Sequence, residues 1–284
     1  MKVQFKSEYT DNNFLYNHCL KTDQILHNYL PHYHDTYEII FLKEGDISYL
    51  TSDCVYPVRK NSLIFTRPGQ LHRIRIDKDT PYDRYDLIIN PDAIVPGLLD
   101  SIPEDTHVLC CDSIPLIVQL FDKLDFYCEQ LNGEQLGRIL RHLTEEILLN
   151  LLLHVTKIRD GKSFSIHPIV RQAVAYIEGN LSILPDVDAV CREVGVSKSY
   201  LYRLFQAELQ TSPKAYIMAR RLNMARHEII LGAKASTVYS QCGFTDYSTF
   251  FRAYKKQFGY PPTGTHHANF VRSADEDIFK GHWK

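Results

Sequence analysis

DVDAVCREVGVSKSYLYRLF, residues 186–205, is the stretch on which the reading of the whole chain turns. It opens as a short amphipathic helix, breaks at Gly195, and resumes behind a Ser at the next N-cap, a residue type whose side chain caps orphan backbone N–H groups. The second helix turns Leu201, Leu204 and Phe205 inward. A glycine that permits a tight turn between two short helices is helix-turn-helix geometry, and the second helix then fits the major groove of DNA.

The pattern returns about fifty residues later as TVYSQCGFTDYSTFFRAYKKQFG, residues 237–259. A short helix, Gly243 and a polar cap at Thr245 or Asp246 precede a helix with Phe250 and Tyr254 inward. Arg203 and Arg252 lie eight and nine residues past their glycines. Between the units, residues 214–231 predict one helix, ~27 Å long at ~1.5 Å per residue. Such a rod holds two reading heads near one DNA turn apart, ~34 Å. Net charge points the same way. Residues 1–167 hold 17 Lys+Arg against 24 Asp+Glu, whereas residues 168–284 hold 15 against 10, so an acidic half is joined to a basic one. One helix-Gly-helix corner is common in bundles, and one basic helix residue is usually just solvated. Two copies in matching register on a basic half are a much narrower pattern.

Ahead of this helical half, residues 32–90 read as short strands broken by turns: YEIIFLK, ISYL, SLIF, HRIRI and YDLII. His72-Arg73-Ile74-Arg75-Ile76 alternates most cleanly, one face apolar and one charged. Many short strands at close spacing predict a barrel or sandwich. After Pro115 the period becomes helical over 115–131 and 134–157, with Leu136, Ile139, Leu140, Leu143, Ile147 and Leu151 on one stripe. The run ILLNLLL is apolar nearly all round, which implies burial on two sides, against its own barrel and against a partner subunit. GKSFSIHP, 161–168, reads as a linker. The fold class is therefore α+β.

The seven cysteines form no C-x-x-C pair and read as reduced, mostly buried small hydrophobes. No apolar run reaches the ~18 residues of a membrane span. The start MKVQFKSEYTDN lacks a signal-peptide core, so a cytoplasmic location is expected. No Ser/His/Asp arrangement, phosphate loop or carboxylate pair argues for catalysis, and no enzyme activity is expected.

The helical half resembles the AraC/XylS-type transcription regulators over about 168–265. The matching elements are YI at 176–177, the run from Cys191 to Phe205, Tyr216 with Arg221-Leu222-x-x-Ala225, and Gly243-Phe244-x-Asp246-x-Ser248-x-Phe250-x-Arg252. Lys255-Lys256-x-Phe-Gly259 and Pro262 complete them. The resemblance implies base contacts by Ser199, Tyr202 and Arg203 in the first unit and by Ser248, Phe251 and Arg252 in the second. It places Lys198, Tyr200, Lys255 and Lys256 on phosphates. It implies double-stranded DNA, a small-molecule effector (a sugar or an aromatic compound), a second copy of the chain and RNA polymerase as partners, with no membrane. Its domain limits are 1–160 for a cupin-like effector-binding and dimerisation domain, 161–167 for the linker, 168–272 for DNA binding and 273–284 for a tail. Departures fall mainly in the second unit: Tyr239 stands at a usual Ala, Ala235 at a usual Ile, Gln210 at a customary Gly, and Thr265-His266 at a usual Tyr-Arg. A large-for-small and a small-for-large change at 239 and 235 compensate in volume.

His32-x-His34-x-x-x-Glu38 and Gly69-x-x-His72 resemble the two motifs of the cupin barrels, although Asn61 and Arg67 replace the Gly and Pro of the second. On an extended strand His32, His34 and Glu38 share one face. The preferred reading is an effector pocket lined by His32, His34, Glu38 and His72, with tyrosines such as Tyr9 and Tyr37, and with no metal or other cofactor. The alternatives are that the same residues ligate Fe, Mn, Zn or Ni in a metalloenzyme with an accessory helical domain, and that the barrel only dimerises.

Overall fold

The structure, a computed structural model, describes residues 3–22, 32, 34, 36–52, 54–78, 80–155, 164–184, 186–230, 232–258 and 260–263. The tail from 273 and the pair Thr265-His266 lie outside them. The chain forms two compact units, drawn mainly from residues 1–163 and 164–284.

The first unit opens with β1 (Val3–Thr10) and β2 (Phe14–Lys21), then β3 (Tyr37–Glu44), β4 (Asp46–Thr51), β5 (Cys54–Arg59) and β6 (Ser62–Thr66). β7 (His72–Ile76), β8 (Tyr82–Ile89) and β9 (Val108–Cys110) follow. One sheet runs β1-β2-β8-β3-β6-β9, and in a second β4 lies between β5 and β7. Among the described residues the strands thus make two sheets, so of the barrel or sandwich that the strand spacing predicted it is the sandwich that forms, and the cupin-like barrel is not closed. Ile40, Leu42, Ile64 and Tyr82 of the first sheet pack with Ile47, Tyr49, Val58, Ile74 and Ile76 of the second. The five expected strands are all present, HRIRI with the same bounds. Asn61, at the β5–β6 turn, sits at φ 58, the left-handed region that Asn tolerates better than most residues, so the turn survives the absence of Gly.

β1 and β2 escaped the sequence reading for a physical reason. β1 slips register between Phe5 and Ser7, which breaks its alternation. β2 buries Asn17, His18 and Lys21, so its polar residues do not mark an exposed face.

Helices α1 (Pro115–Gln130) and α2 (Gly133–Val155) cover the other face of the larger sheet. Ile117, Leu120, Phe121 and Leu124 of α1, and Leu136, Leu140, Leu143, Ile147, Leu148 and Leu151 of α2, pack on Tyr16, Ile39, Phe41, Phe65, Tyr85 and Leu87. Each such side chain contributes ~1.5–3 kcal/mol of burial. The stripe expected on α2 is the buried one, except that Ile139 is only partly buried.

The second unit contains α3 (Pro168–Asn180), α4 (Val187–Val194), α5 (Lys198–Leu209), α6 (Pro213–Ile230), α7 (Ala235–Gln241) and α8 (Tyr247–Phe258). Asp186 caps α4 by accepting from Ala189 N, and Gly195 ends it at φ 67. Ser197 caps α5 by accepting from Tyr200 N. Asp246, rather than Thr245, starts α8, accepting from Thr249 N at 2.7 Å. Gln210 takes φ 51 at the end of α5, the left-handed position for which the customary Gly is suited. No helix among the described residues is long and apolar enough to cross a membrane.

Candidate functional site

The two expected reader helices are α5 and α8. Leu201 and Phe205 are fully buried on α5, which turns its opposite side outward: Lys198, Ser199 and Arg203 are exposed, Tyr200 and Tyr202 half-buried. The Arg203 guanidinium lies 5.0 Å from the Tyr200 ring centre, a cation–π contact that restrains its long side chain. Lys198 is not a free phosphate ligand in this arrangement, because its Nζ lies 3.0 Å from Asp188 Oδ1 on α4. On α8, Phe250 and Tyr254 face the core, while Ser248, Arg252, Lys255 and Lys256 are exposed and Phe251 is half-buried. The backbone N–H groups of Ser248 and Thr249 donate to Asp246, and hydrogen bonds from Thr249 above all hold its carboxyl below the usual carboxylate range. Tyr239 packs, partly buried, against the same cluster as Ala235, its ring 5.5 Å from that of Tyr247 and 6.3 Å from that of Phe250.

In the first unit, strand parity sorts the polar residues onto two faces. Glu38 on β3, Asn17 and Lys21 on β2, and Arg84 and Asp86 on β8 share the face opposite α1 and α2, as the pairings Glu38↔Ile88, Asn17↔Asp86 and Lys21↔Tyr82 require. All five are buried. Arg84 Nη1 donates to Asp86 Oδ2 at 3.0 Å. Burial, helped by Arg84, pushes the Lys21 ammonium down to about 8. Asn17 Oδ1 has no hydrogen-bond partner among the described residues. His72 Nδ1 donates to the Gln70 carbonyl at 2.8 Å, and Nε2 lies 3.1 Å from Glu38 Oε2. Ring nitrogens of His32, His34 and His72 lie within 4.8 Å of one another. His32 and His34 precede β3 instead of lying on it, so the expected shared strand face holds for Glu38 alone.

A model of an AraC-like ligand binding domain matches residues 17–152, and a helix-turn-helix domain model matches 190–267. The chain belongs to the AraC/XylS family of transcription regulators. Over 97 residues it is 37% identical to the HTH-type transcriptional regulator GbdR of Pseudomonas aeruginosa, a match covering 34% of this chain and 26% of that protein's length. It is 22% identical to RafR, the raffinose operon regulatory protein of Pediococcus pentosaceus, over 81% of this chain and 84% of RafR. The crystal structure of an apo ToxT variant from Vibrio cholerae aligns at 13% identity over 88% of this chain and 95% of that one, with TM-score 0.42.

Set beside the AraC/XylS pattern, two features went unseen in the sequence. On the helix-facing side of the larger sheet, His18 sits between carboxylates, Nε2 2.7 Å from Asp83 Oδ1 and Nδ1 2.5 Å from Asp125 Oδ2 of α1. Ser7 and Tyr16 donate to the other Asp125 oxygen, and Lys6 donates to Asp83. In the second unit, Glu178 on α3 accepts from Arg220 and Tyr216 on α6, at 2.7 Å each. These partners lie 38 to 118 positions apart, so no local signal announces them. Two expected pocket tyrosines are corrected: Tyr9 and Tyr37 pack on the helix-facing core, and among the described residues Tyr49, Tyr82 and the partly buried Tyr56 pack between the sheets. Of the seven cysteines, all free, Cys19, Cys111 and Cys242 are buried and the other four only half-buried.

Proposed function

We propose that the chain is a sequence-specific DNA-binding transcription regulator whose strand-rich unit senses a small-molecule effector. The observation that carries this reading is the repetition: two capped reader helices, each with its aromatic side in a core and its Ser/Arg side exposed. Arg203 and Arg252 would grip guanine edges, and Lys255 and Lys256 would sit on phosphates. Lys198 is the weaker phosphate contact, since Asp188 competes for it. Ser199, Tyr202, Ser248 and Phe251 complete the base-reading set. This reading assigns effector binding and dimerisation to residues 1–160, a linker to 161–167 and DNA binding to 168–272, in a cytoplasmic, non-enzymatic protein.

The effector site is the inner face carrying Asn17, Lys21, Glu38, His72, Arg84 and Asp86, with His32 and His34. Alternating donors and acceptors there, including the unsatisfied Asn17 Oδ1, suit the vicinal hydroxyls of a sugar. RafR, a relative named for a raffinose operon, fits that class. Leu149 and Leu153, one turn apart on α2 and 51% and 66% exposed, suit a second copy of the chain.

Selection of bound fragments from a random duplex pool, with and without sugars, tests the reading. On the selected duplex, Arg203→Ala weakens specific binding by ~1–3 kcal/mol and relaxes discrimination at one base pair. Lys255→Ala weakens all sequences alike and lowers the salt slope by about one. Unchanged operator affinity for Arg203→Ala at physiological salt removes α5 as a reader.

The three imidazoles favour a second reading of the effector as a divalent metal. The Gln70 carbonyl accepts from His72 Nδ1 and so orients the ring, the outer contact that many ligating histidines make. Titration of dialysed protein with Zn(II), Ni(II) or Mn(II) would then raise the melting temperature, by the equivalent of ~2.7 kcal/mol at a hundredfold excess over Kd. His72→Ala abolishes that rise. No heat and no shift with any of the three ions excludes this reading.

A further inference from the structure

We propose that Arg221 and Gly243 form a clasp that fixes the second reader unit relative to the first, making Arg221 a positioning residue for two-site DNA recognition. The proposal rests on the DNA-binding reading above. Arg221 lies in the middle of α6, the helix between the two units, and its guanidinium works on both sides. Its Nε donates to Leu181 O at 2.9 Å and its Nη2 to Leu184 O at 2.5 Å. Those carbonyls belong to the end of α3 and the loop entering α4, where helix termination leaves acceptors without intrahelical partners.

The other face of the same guanidinium lies over Gly243, the turn between α7 and α8. A Cβ built at Gly243 would stand 2.7 Å from Arg221 Nε, 2.8 Å from Cζ and 2.9 Å from Nη2. A side chain there makes the guanidinium shift, and the shift pulls on the two carbonyl bonds that hold it. Gly243 also sits at φ +80, so the position excludes larger residues twice over. A planar, permanently charged fork suits two carbonyls at fixed spacing, whereas a lysine ammonium is a single point donor on a flexible stem. The turn of the second unit is therefore seated on the entry to the first through one rigid group. Arg220, its neighbour, anchors the same helix to α3 through Glu178.

Tethered modules gain from each other only when geometry permits simultaneous engagement. Wild type should therefore lose affinity steeply when two base pairs are inserted between the half-sites of its selected duplex. The test compares wild type, Arg221→Lys and Gly243→Ala on three duplexes: the selected one, the spacer-extended one, and one with the second half-site randomised. Both variants are expected to keep first-half-site affinity within about threefold, to lose about 10- to 100-fold on the intact duplex, and to become nearly indifferent to the spacer. Retained half-site binding shows in the same titration that the variants are folded. Equal losses on intact and randomised duplexes, or unaltered spacer sensitivity, overturn the clasp. Failure of wild type to bind any duplex would instead defeat the DNA-binding reading itself.

Discussion

Phe250→Ala is expected to destabilise the helical unit by ~3–5 kcal/mol, a large fraction of the ~5–15 kcal/mol that holds a domain folded. Phe250 is fully buried, and its ring contacts those of Phe244, Tyr254 and Tyr247 at centroid distances of 5.2, 5.5 and 5.9 Å. Phe250 lies on α8 itself, so truncation empties the centre of the cluster that seats that helix. Tyr239, unusually large for its position, leans on the same ring at 6.3 Å and cannot collapse into the cavity without leaving Tyr247. Urea denaturation followed by tyrosine fluorescence measures the loss. A change below ~1 kcal/mol would mean that the cluster closes up, and that α8 is held by other contacts.

His18→Ala should cost the strand-rich unit a similar ~3–5 kcal/mol, because it removes the shared partner of two carboxylates. The His18 side chain is 2% exposed, and those of Asp83 and Asp125 are 10% and 24% exposed. Without the imidazole, Asp125 keeps Ser7 and Tyr16 as donors but loses its shortest tie to β2, and Asp83 of β8 loses its link to α1. Wild type itself carries a pH signature of this network. Burial opposes ionisation of Asp125, but hydrogen bonds from His18, Ser7 and Tyr16 outweigh it and hold its pKa below the ordinary value. A depressed folded pKa means stability that is fully present above the unfolded pKa, ~3.9, and lost as pH falls through the lower folded value. Acid melts of wild type and Asp125→Asn should therefore converge at low pH, separate as pH rises toward ~4, and keep a constant gap above it. Parallel curves across that range would show that the carboxylate's charge contributes nothing.

Much of the helical half was legible because its signals are local. A glycine at a turn, a Ser or Asp at a cap and an aromatic one turn inside the helix act within a few residues. HRIRI was legible for the same reason, as its alternation states both strand and facing. Where polar groups are buried the reading failed. β2 carries Asn17, His18 and Lys21 inside the fold, where their surroundings are set by neighbours remote in sequence, so its composition resembles a loop. The histidines were grouped correctly by motif, but only His72 and Glu38 lie on strands, so strand parity does not govern His32 and His34.

From the sequence alone came the family, by its motifs, and the double helix-turn-helix, the α+β class and the exposed faces of α5 and α8, since these depend on periodicity and short-range backbone chemistry. Tertiary structure alone decided that the strands form two sheets, that Tyr9 and Tyr37 face the helices, that Lys198 is held by Asp188, and that Arg221 reaches from the α3–α4 loop to Gly243. Those facts depend on which distant groups meet. A side chain's role there is set by the partner that desolvates it or accepts its proton, and that partner mostly lies tens of residues away along the chain.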